Sequence, residues 1–462
     1  MTSASDKKIS SRFIYFFGSF GGILFGYDIG VMTGALPFLQ SDWGIGEGFE
    51  SGAATSSVMF GAIFGGVLAG QLADRLGRRR VILASALVFV LGSILSGLSP
   101  DDGLVFLVGA RIILGLAVGG ASALVPAYMS EMAPARLRGS LSGINQTMIV
   151  SGMLISYVVD FLLKDLPQQW GWRLMLGLAA VPALILFLGV LKLPESPRYL
   201  VRRGFMDQAR EVLGYIRKPE DIEVELADIR ETAAIEERAA HTSWSTLFSS
   251  KYRYLVIAGV GVAAFQQFAG ANAIFYYIPQ IVGNASGDAA TSALLWPIVN
   301  GVILVAGSLL YIAIAERLNR RTLLMAGGGV MGLSFLLPSV INAVMPQAPD
   351  MLIVVFLCIY VAFYSFTWAP LTWVLVGEVF PLAVRGRATG LASSFNWIGS
   401  FVVGLFFPAM AAAMPQAAVF AIFGVICLLG VLFVRTRVPE TRGRTLEDIE
   451  EEGTKHAVET TV

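Results

Sequence analysis

Twelve stretches of roughly 20 mostly apolar residues recur along this 462-residue chain, and no other feature limits its fold so strongly. With soft edges they cover residues 13–37, 54–73, 81–99, 104–127, 141–163, 172–193, 254–282, 292–315, 322–343, 351–376, 388–410 and 416–434. A backbone crossing hydrocarbon must satisfy its own hydrogen bonds, so each stretch is expected to be a helix. Buried helices of a large soluble protein would not recur in this way between polar segments. Charged residues are also scarce, at 14% against about 25% in soluble domains. The chain therefore reads as an all-α membrane protein with twelve transmembrane helices. The first stretch follows "MTSASDKKISSR", is too long for a signal h-region and lacks a small-residue cleavage site, so it is expected to remain as a span.

Basic residues orient the spans. Arg75, Arg78, Arg79 and Arg80 follow the second, Arg136 and Arg138 the fourth, Arg317, Arg320 and Arg321 the eighth, and Arg385 and Arg387 the tenth. The alternate loops are nearly bare of base, with Lys164 and Arg173 as exceptions. Both termini and the even-numbered loops are expected on the cytoplasmic side. Between spans six and seven, residues 202–238 hold seven basic and ten acidic side chains. Ile222, Leu226, Ile229 and Ala233 recur there at helical spacing, which predicts short amphipathic helices against the inner ends of the spans.

The chain also repeats itself. "ADRLGRR" at 73–79 returns as "AERLNRR" at 315–321, "SEMAPARLRG" at 130–139 as "GEVFPLAVRG" at 377–386, and "LPESPR" at 193–198 as "VPETRGR" at 438–444. The offsets are 242, 247 and 245 residues, and each motif follows the same span of its half. Two six-helix bundles in parallel orientation follow: residues 1–196 and 251–436, joined by a cytoplasmic helical linker at 197–250 and followed by a tail at 437–462. Such bundles enclose a midplane cavity and rock against each other. The repeated acids and bases, Glu131 and Glu378 with Arg78, Arg79, Arg138, Arg320, Arg321 or Arg385, are candidates for a cytoplasmic gate that latches when paired. Positive-inside topology alone accounts for the arginines but not for the matched acids.

Polar side chains inside spans are costly, and they are functional candidates by default. Asp28 lies in span one and Arg111 in span four, one acid and one base at depth. Burial favours a neutral acid and a nearby arginine favours a carboxylate, so a group held between them can exchange a proton when its surroundings change. A static structural ion pair is the alternative. Gln146 lies in span five, Gln266, Gln267 and Asn272 in span seven, Asn300 in span eight and Asn396 in span eleven. Amides offer both donors and acceptors, the mixture that a polyhydroxylated ligand needs. Tyr276, Tyr277, Trp368, Trp373 and Trp397 add flat faces for sugar C–H groups. Pro370 in "SFTWAPLTW" is expected to break span ten beside a cavity. Gly61, Gly65, Gly66 and Gly70 predict close packing of span two. Cys358 and Cys427 are too few for a disulfide framework, and His241 and His456 lie in polar segments unsuited to a histidine metal site.

These motifs, in this order, resemble the sugar porter family of the major facilitator superfamily, from "GYD" at 26–28 through "GRRR" at 77–80, "PESPR" at 194–198, "QQFAGANAIFYY" at 266–277 and "NW" at 396–397 to "PETRGR" at 439–444. The resemblance implies the major facilitator fold. It implies that Gln146, Gln266, Gln267, Asn272, Asn300, Trp373 and Asn396 contact a sugar, and that Asp28 and Arg111 form the proton-coupling pair of symporters. Span ten reads "WAP" where the family usually has "WGP", and Ser400 stands where some relatives carry an amide. The expected function is proton-coupled import of a monosaccharide by alternating access in a bacterial cytoplasmic membrane. The expected partners are sugar, proton and lipid, with no nucleic acid, no cofactor and no metal, and the chain acts as a monomer. A facilitative uniporter lacks the acid at Asp28, and a sugar sensor would carry longer cytoplasmic extensions. Drug or peptide transport fits the amides poorly. No H-E-x-x-H or G-x-S-x-G motif suggests an enzyme.

Overall fold

The computed structural model describes residues 10–133, 138–240, 244–286, 294–314, 317–345, 351–381 and 384–444. Among these the secondary structure is helical throughout. Twelve helical segments are long and apolar enough to cross a membrane: Ser11–Trp43, Phe49–Leu76, Arg78–Gly97, Leu104–Met132, Gly143–Leu163, Gln169–Val190, Ser250–Gly283, Leu295–Ile314, Arg320–Ile341, Leu352–Val379, Arg385–Ala413 and Gln416–Arg437. They match the twelve expected stretches and mostly run a few residues longer, because apolar windows stop where charge begins and helices do not.

Spans one to six form one bundle and seven to twelve another, with matching neighbours. Span one packs on five as seven packs on eleven, two on four as eight on ten, and three on six as nine on twelve. Between bundles, span two lies against eleven and span five against eight. The arginine motifs gather at one end of the molecule, called here the basic end, and the other is the far end.

Spans seven and ten are each built from two helices. Span seven breaks at Gly270, whose φ of +90° suits only a residue without a side chain. Its helices Ser250–Phe268 and Ala271–Ser286 therefore set Gln266 and Gln267 apart from Asn272. Span ten breaks at Thr367, between Met351–Phe366 and Trp368–Val379. This corrects the expectation for Pro370, which occupies the first turn of the second helix. A proline costs little there, since its missing N–H would have had no helical partner.

Four short helices follow span six: Pro197–Arg202, Met206–Ile216, Ile222–Ala240 and Trp244–Leu247. Leu226 and Ile229 are buried, as their spacing predicts. The first helices lie on the basic end of the N-terminal bundle. The Tyr199 hydroxyl donates to the Arg75 carbonyl at 3.1 Å, Arg202 pairs with Asp74 at 2.9 Å and Arg217 donates to the Met132 carbonyl at 3.1 Å. On the solvent face Arg210 donates to Glu223 at 2.6 Å, and this hydrogen bond holds the Glu223 carboxyl below its usual range. His241, His456 and Arg136 lie outside the described residues.

Candidate functional site

The first span explains how an acid reaches the protein interior. Gly22, Gly26, Gly30 and Gly34 recur every fourth residue and line one face, where span five presses so close that a Cβ on Gly26 would stand 1.7 Å from the Ile149 carbonyl oxygen. Asp28, off that stripe, meets Arg111 of span four, with Oδ1 and Nη1 3.6 Å apart. Both residues are shut away, at 1% and 0% exposure. Neither carboxylate oxygen and none of the three guanidinium nitrogens has a hydrogen-bond partner. A buried ion pair holds firmly only when good geometry and further hydrogen bonds offset its desolvation. This pair has charge attraction alone.

Spans seven, ten and eleven bring four amides into one network. Gln266 Nε2 donates to the carbonyls of Trp368 and Ala369, each at 3.1 Å, on the first turn after the break in span ten. Asn396 Nδ2 donates to Gln266 Oε1 at 2.8 Å and to the Ala263 carbonyl at 2.9 Å. Gln267 Nε2 donates to Asn396 Oδ1 at 3.2 Å. From beyond the Gly270 break, Asn272 Nδ2 reaches Gln267 Oε1 at 2.8 Å and Ser400 Oγ at 2.5 Å. Ser400 is thus part of the network as a hydroxyl. These bonds align donors and acceptors in advance, so a ligand hydroxyl would exchange one polar partner for another rather than order a loose side chain.

Asn300 of span eight is 1% exposed, and both atoms of its amide lack a partner. Next to it, Gly301 packs against Tyr157 of span five. Gln146 is half-buried on span five and takes no part in the four-amide network. Trp373 is 40% exposed and keeps a ring face open. The other aromatics are already engaged. Trp368 donates to the Leu324 carbonyl at 2.9 Å, and Trp397 packs on Phe25 across the two bundles with ring centroids 5.3 Å apart. Tyr276 is buried, and Tyr277 belongs to the closure of the far end.

That closure is direct. The Tyr277 hydroxyl lies 2.5 Å from Thr55 Oγ1 and donates to the Gly404 carbonyl at 3.1 Å, which pins spans two, seven and eleven together. Thr33 donates to the Phe275 carbonyl at 2.7 Å, and Gln280 to Gln40 at 3.4 Å. Phe60 on Phe401, with centroids 5.5 Å apart, continues the contact of spans two and eleven inward. Nearer the basic end, a Cβ added at Gly70 or Gly390 would meet nothing within 4 Å. Span two therefore packs tightly at Gly61 and Gly65, against span four, and not at Gly70.

At the basic end the charged motifs form one cluster in each half. Arg78 pairs with Glu131 at 3.3 Å and with Asp74 at 3.0 Å. Arg320 pairs with Glu378 at 3.5 Å, and Glu378 also accepts from the Thr441 hydroxyl at 2.6 Å. Arg79 donates instead to the Val190 and Leu191 carbonyls, Arg321 to the Arg435 carbonyl and Arg385 to the Phe380 carbonyl. The side chain of Arg138 lies outside the described residues.

The family model described as "Sugar (and other) transporter" matches residues 14–452. A D-xylose transporter of Levilactobacillus brevis is 40% identical over 96% of both chains. The proton:xylose symporter XylE, solved with 6-bromo-6-deoxy-D-glucose, superposes with a TM-score of 0.80 at 30% identity over 96% of this chain and 98% of its own. XylE from E. coli in a partially occluded inward-open conformation gives 0.82 at 29% identity, over 94% and 99%. The chain is a sugar porter of the major facilitator superfamily.

Three residues of this porter escape a reading of its sequence. Glu195 and Glu440, the acids of the third repeated motif, accept from backbone N–H groups at the start of spans three and nine. Their motif was visible, but not what it would touch. Asp160 of span five is the third, and it corrects the expectation of a single deep acid: it is 1% exposed, and neither of its carboxyl oxygens has a hydrogen-bond partner. It sits near the polar end of an apolar stretch, where an acid reads as a loop residue. Its burial comes from Gly34 of span one, at which a Cβ would stand 2.4 Å from the carboxyl.

Proposed function

We propose that this sugar porter is a proton-coupled symporter that imports a monosaccharide, with a glucose-like hexose or a pentose as the first candidate. The buried Asp28–Arg111 pair, held by charge attraction without hydrogen bonds, carries the reading, because a group so placed is poised to exchange a proton. The basic end faces the cytoplasm, both termini lie there, and the chain works as a monomer in the bilayer of a bacterial inner membrane. Residues 1–196 and 251–436 are the two rocking bodies, with 197–250 as a cytoplasmic linker and 437–462 as a tail. The gathered geometry is then an inward-facing state with its outer mouth closed.

In the cycle, Asp28 takes a proton from outside when the outer mouth opens, and sugar hydroxyls bond Gln266, Gln267, Asn272, Asn300 and Asn396 from one half and Gln146 from the other, beside the face of Trp373. A neutral acid no longer holds Arg111, and the bundles rock. Sugar leaves through the inner mouth, the proton follows, and Arg111 pairs with Asp28 again. The names of the relatives, a D-xylose transporter and a proton:xylose symporter, support both the substrate class and the coupling ion. Counterflow of labelled sugars in proteoliposomes, with and without an imposed pH gradient, tests the proposal. Exchange of a monosaccharide together with uphill accumulation under the gradient is expected. Exchange without accumulation would make this porter a uniporter, and no exchange of any monosaccharide would remove the substrate class.

A further inference from the structure

Asp160 has no role in the cycle just described, yet its position is demanding. Its carboxyl is fully buried and packs on the peptide backbone of Gly34. Gly34 lies six residues beyond Asp28 on span one, about 9 Å nearer the outer face at the helical rise per residue. The charged and titratable groups around it are few. On its own helix Tyr157 lies one turn back, while the ammonium of Lys164, one turn on, sits over the Phe161 ring. On span one the nearby titratable group is Tyr27. Span six offers Arg173, which pairs with Asp101 at 2.6 Å and Asp42 at 3.6 Å. Span four offers Arg111, which faces Asp28. Span eight presents the uncharged Asn300 and Gly301. Among the described residues no base reaches Asp160, and an isolated carboxylate is costly in so dry a place.

The lid over it belongs to the moving half. Thr33, beside Gly34, bonds the Phe275 carbonyl of span seven, and Tyr157 packs on Gly301 of span eight. Separating the bundles at the outer mouth breaks the Thr33–Phe275 bond and admits water to the end of span five. We propose that Asp160 is a second proton-binding carboxyl of this porter, protonated while the outer mouth is closed and ionised to outer water when it opens. The ion is stable only when wet, so ionisation holds the mouth open, and raising the external pH favours the outward-open state. This rests on the proton-coupled reading for its orientation, but not on Asp28 being the coupling acid.

The test uses the full-length porter in liposomes with a spin-label pair at the exposed positions Glu47 and Ala412, on opposite halves at the outer face, in a Cys358→Ser/Cys427→Ser background. In the parent, the ratio of long to short label distances is expected to rise with pH, by up to about tenfold per pH unit for one site. The rise should persist in Asp28→Asn and vanish in Asp160→Asn and in Asp28→Asn/Asp160→Asn, with sugar binding retained as proof of folding. Asp160→Ser is the substitute where the amide fails to fold. No pH response in the parent, a response that survives Asp160→Asn, or a response abolished by Asp28→Asn alone would each overturn the proposal. Sugar accumulation is measured separately in Asp28→Asn, so failure of the coupling reading shows there and not in the distances.

Discussion

Glu440 stands to Arg320 as Glu195 stands to Arg78. Each carboxylate accepts from the backbone N–H of its arginine, at 3.0 Å and 2.9 Å, and from that of the next residue, at 3.1 Å and 3.2 Å. Each also accepts from the residue that follows it, Thr441 or Ser196. The opening N–H groups of spans three and nine lack helical partners, and the positive end of a helix dipole favours an anion there. One carboxylate thus ties the end of the sixth span of each half to the start of the third.

Loss of either cap should be measurable. Glu195→Ala and Glu440→Ala are each expected to cost about 1 kcal/mol, the usual worth of an N-terminal cap, and to lower the melting temperature of the purified porter. Gly77→Ala should do at least as much damage. Gly77 has a φ of +99°, and a Cβ there would stand 2.2 Å from Glu195 Oε2. The equivalent Asn319 has a φ of −67° and tolerates a side chain, so Asn319→Ala is expected to be mild. Equal effects of Gly77→Ala and Asn319→Ala would show that the close approach of Glu195 contributes nothing.

Sugar affinity should follow the amide network. Gln267→Ala is expected to weaken binding by about 1 kcal/mol, roughly fivefold, with the fold intact. Asn300→Ala should weaken binding comparably and leave apo stability unchanged or improved, since its buried amide has no partner to lose. Isothermal titration with glucose, galactose, xylose and arabinose checks both. Parental affinity for all four sugars in both variants would misplace the site.

The ion pair gives an asymmetric outcome. Asp28→Asn is expected to bind and exchange sugar but neither to accumulate it uphill nor to alkalinise the medium on sugar addition. It also leaves Arg111 charged and dry, a defect that typically costs about 3–5 kcal/mol. Its melting temperature should therefore fall, and Asp28→Asn/Arg111→Gln should recover much of the loss. Full accumulation by Asp28→Asn would remove the coupling role.

The basic clusters predict a smaller effect. Glu378→Gln keeps the Thr441 partner but loses the charge facing Arg320. At these half-exposed positions about 1 kcal/mol at most is at stake. Both residues belong to the same half and are paired in the inward-facing state, so the expected result is a small fall in melting temperature with labelling of a cysteine in the inner mouth unchanged. A marked change in labelling would show that the pair also sets the inner mouth.

Span number and repeat were legible because hydrocarbon thickness and charge placement write themselves into a linear string. The amides were legible for the same reason, being polar where polarity is expensive. The breaks were not. Gly270 is one glycine among 50, and only the chain on both sides of it shows that it turns left-handed. Pro370 drew attention from Thr367, the true point of interruption. Asp160 was hidden because its burial depends on a glycine of another helix, and no local window contains both.

The two seams between the bundles are unequal. Spans five and eight touch along most of their length, from Gly301 against Tyr157, through Thr147 Oγ1 at 2.6 Å from Ser308 Oγ, to Gly143 beside Ile312. Spans two and eleven make their named contacts toward the far end, from Gly52 against Leu405 to Phe60 on Phe401. A body turning about a line moves most where it is farthest from that line. On the rocking reading, the seam of spans five and eight would act as the spine of a book, and spans two and eleven as the free edges of its covers. Probes at equal depth should travel farther on the edges than on the spine, and a bulky ligand would find its clearance on the side of spans two and eleven.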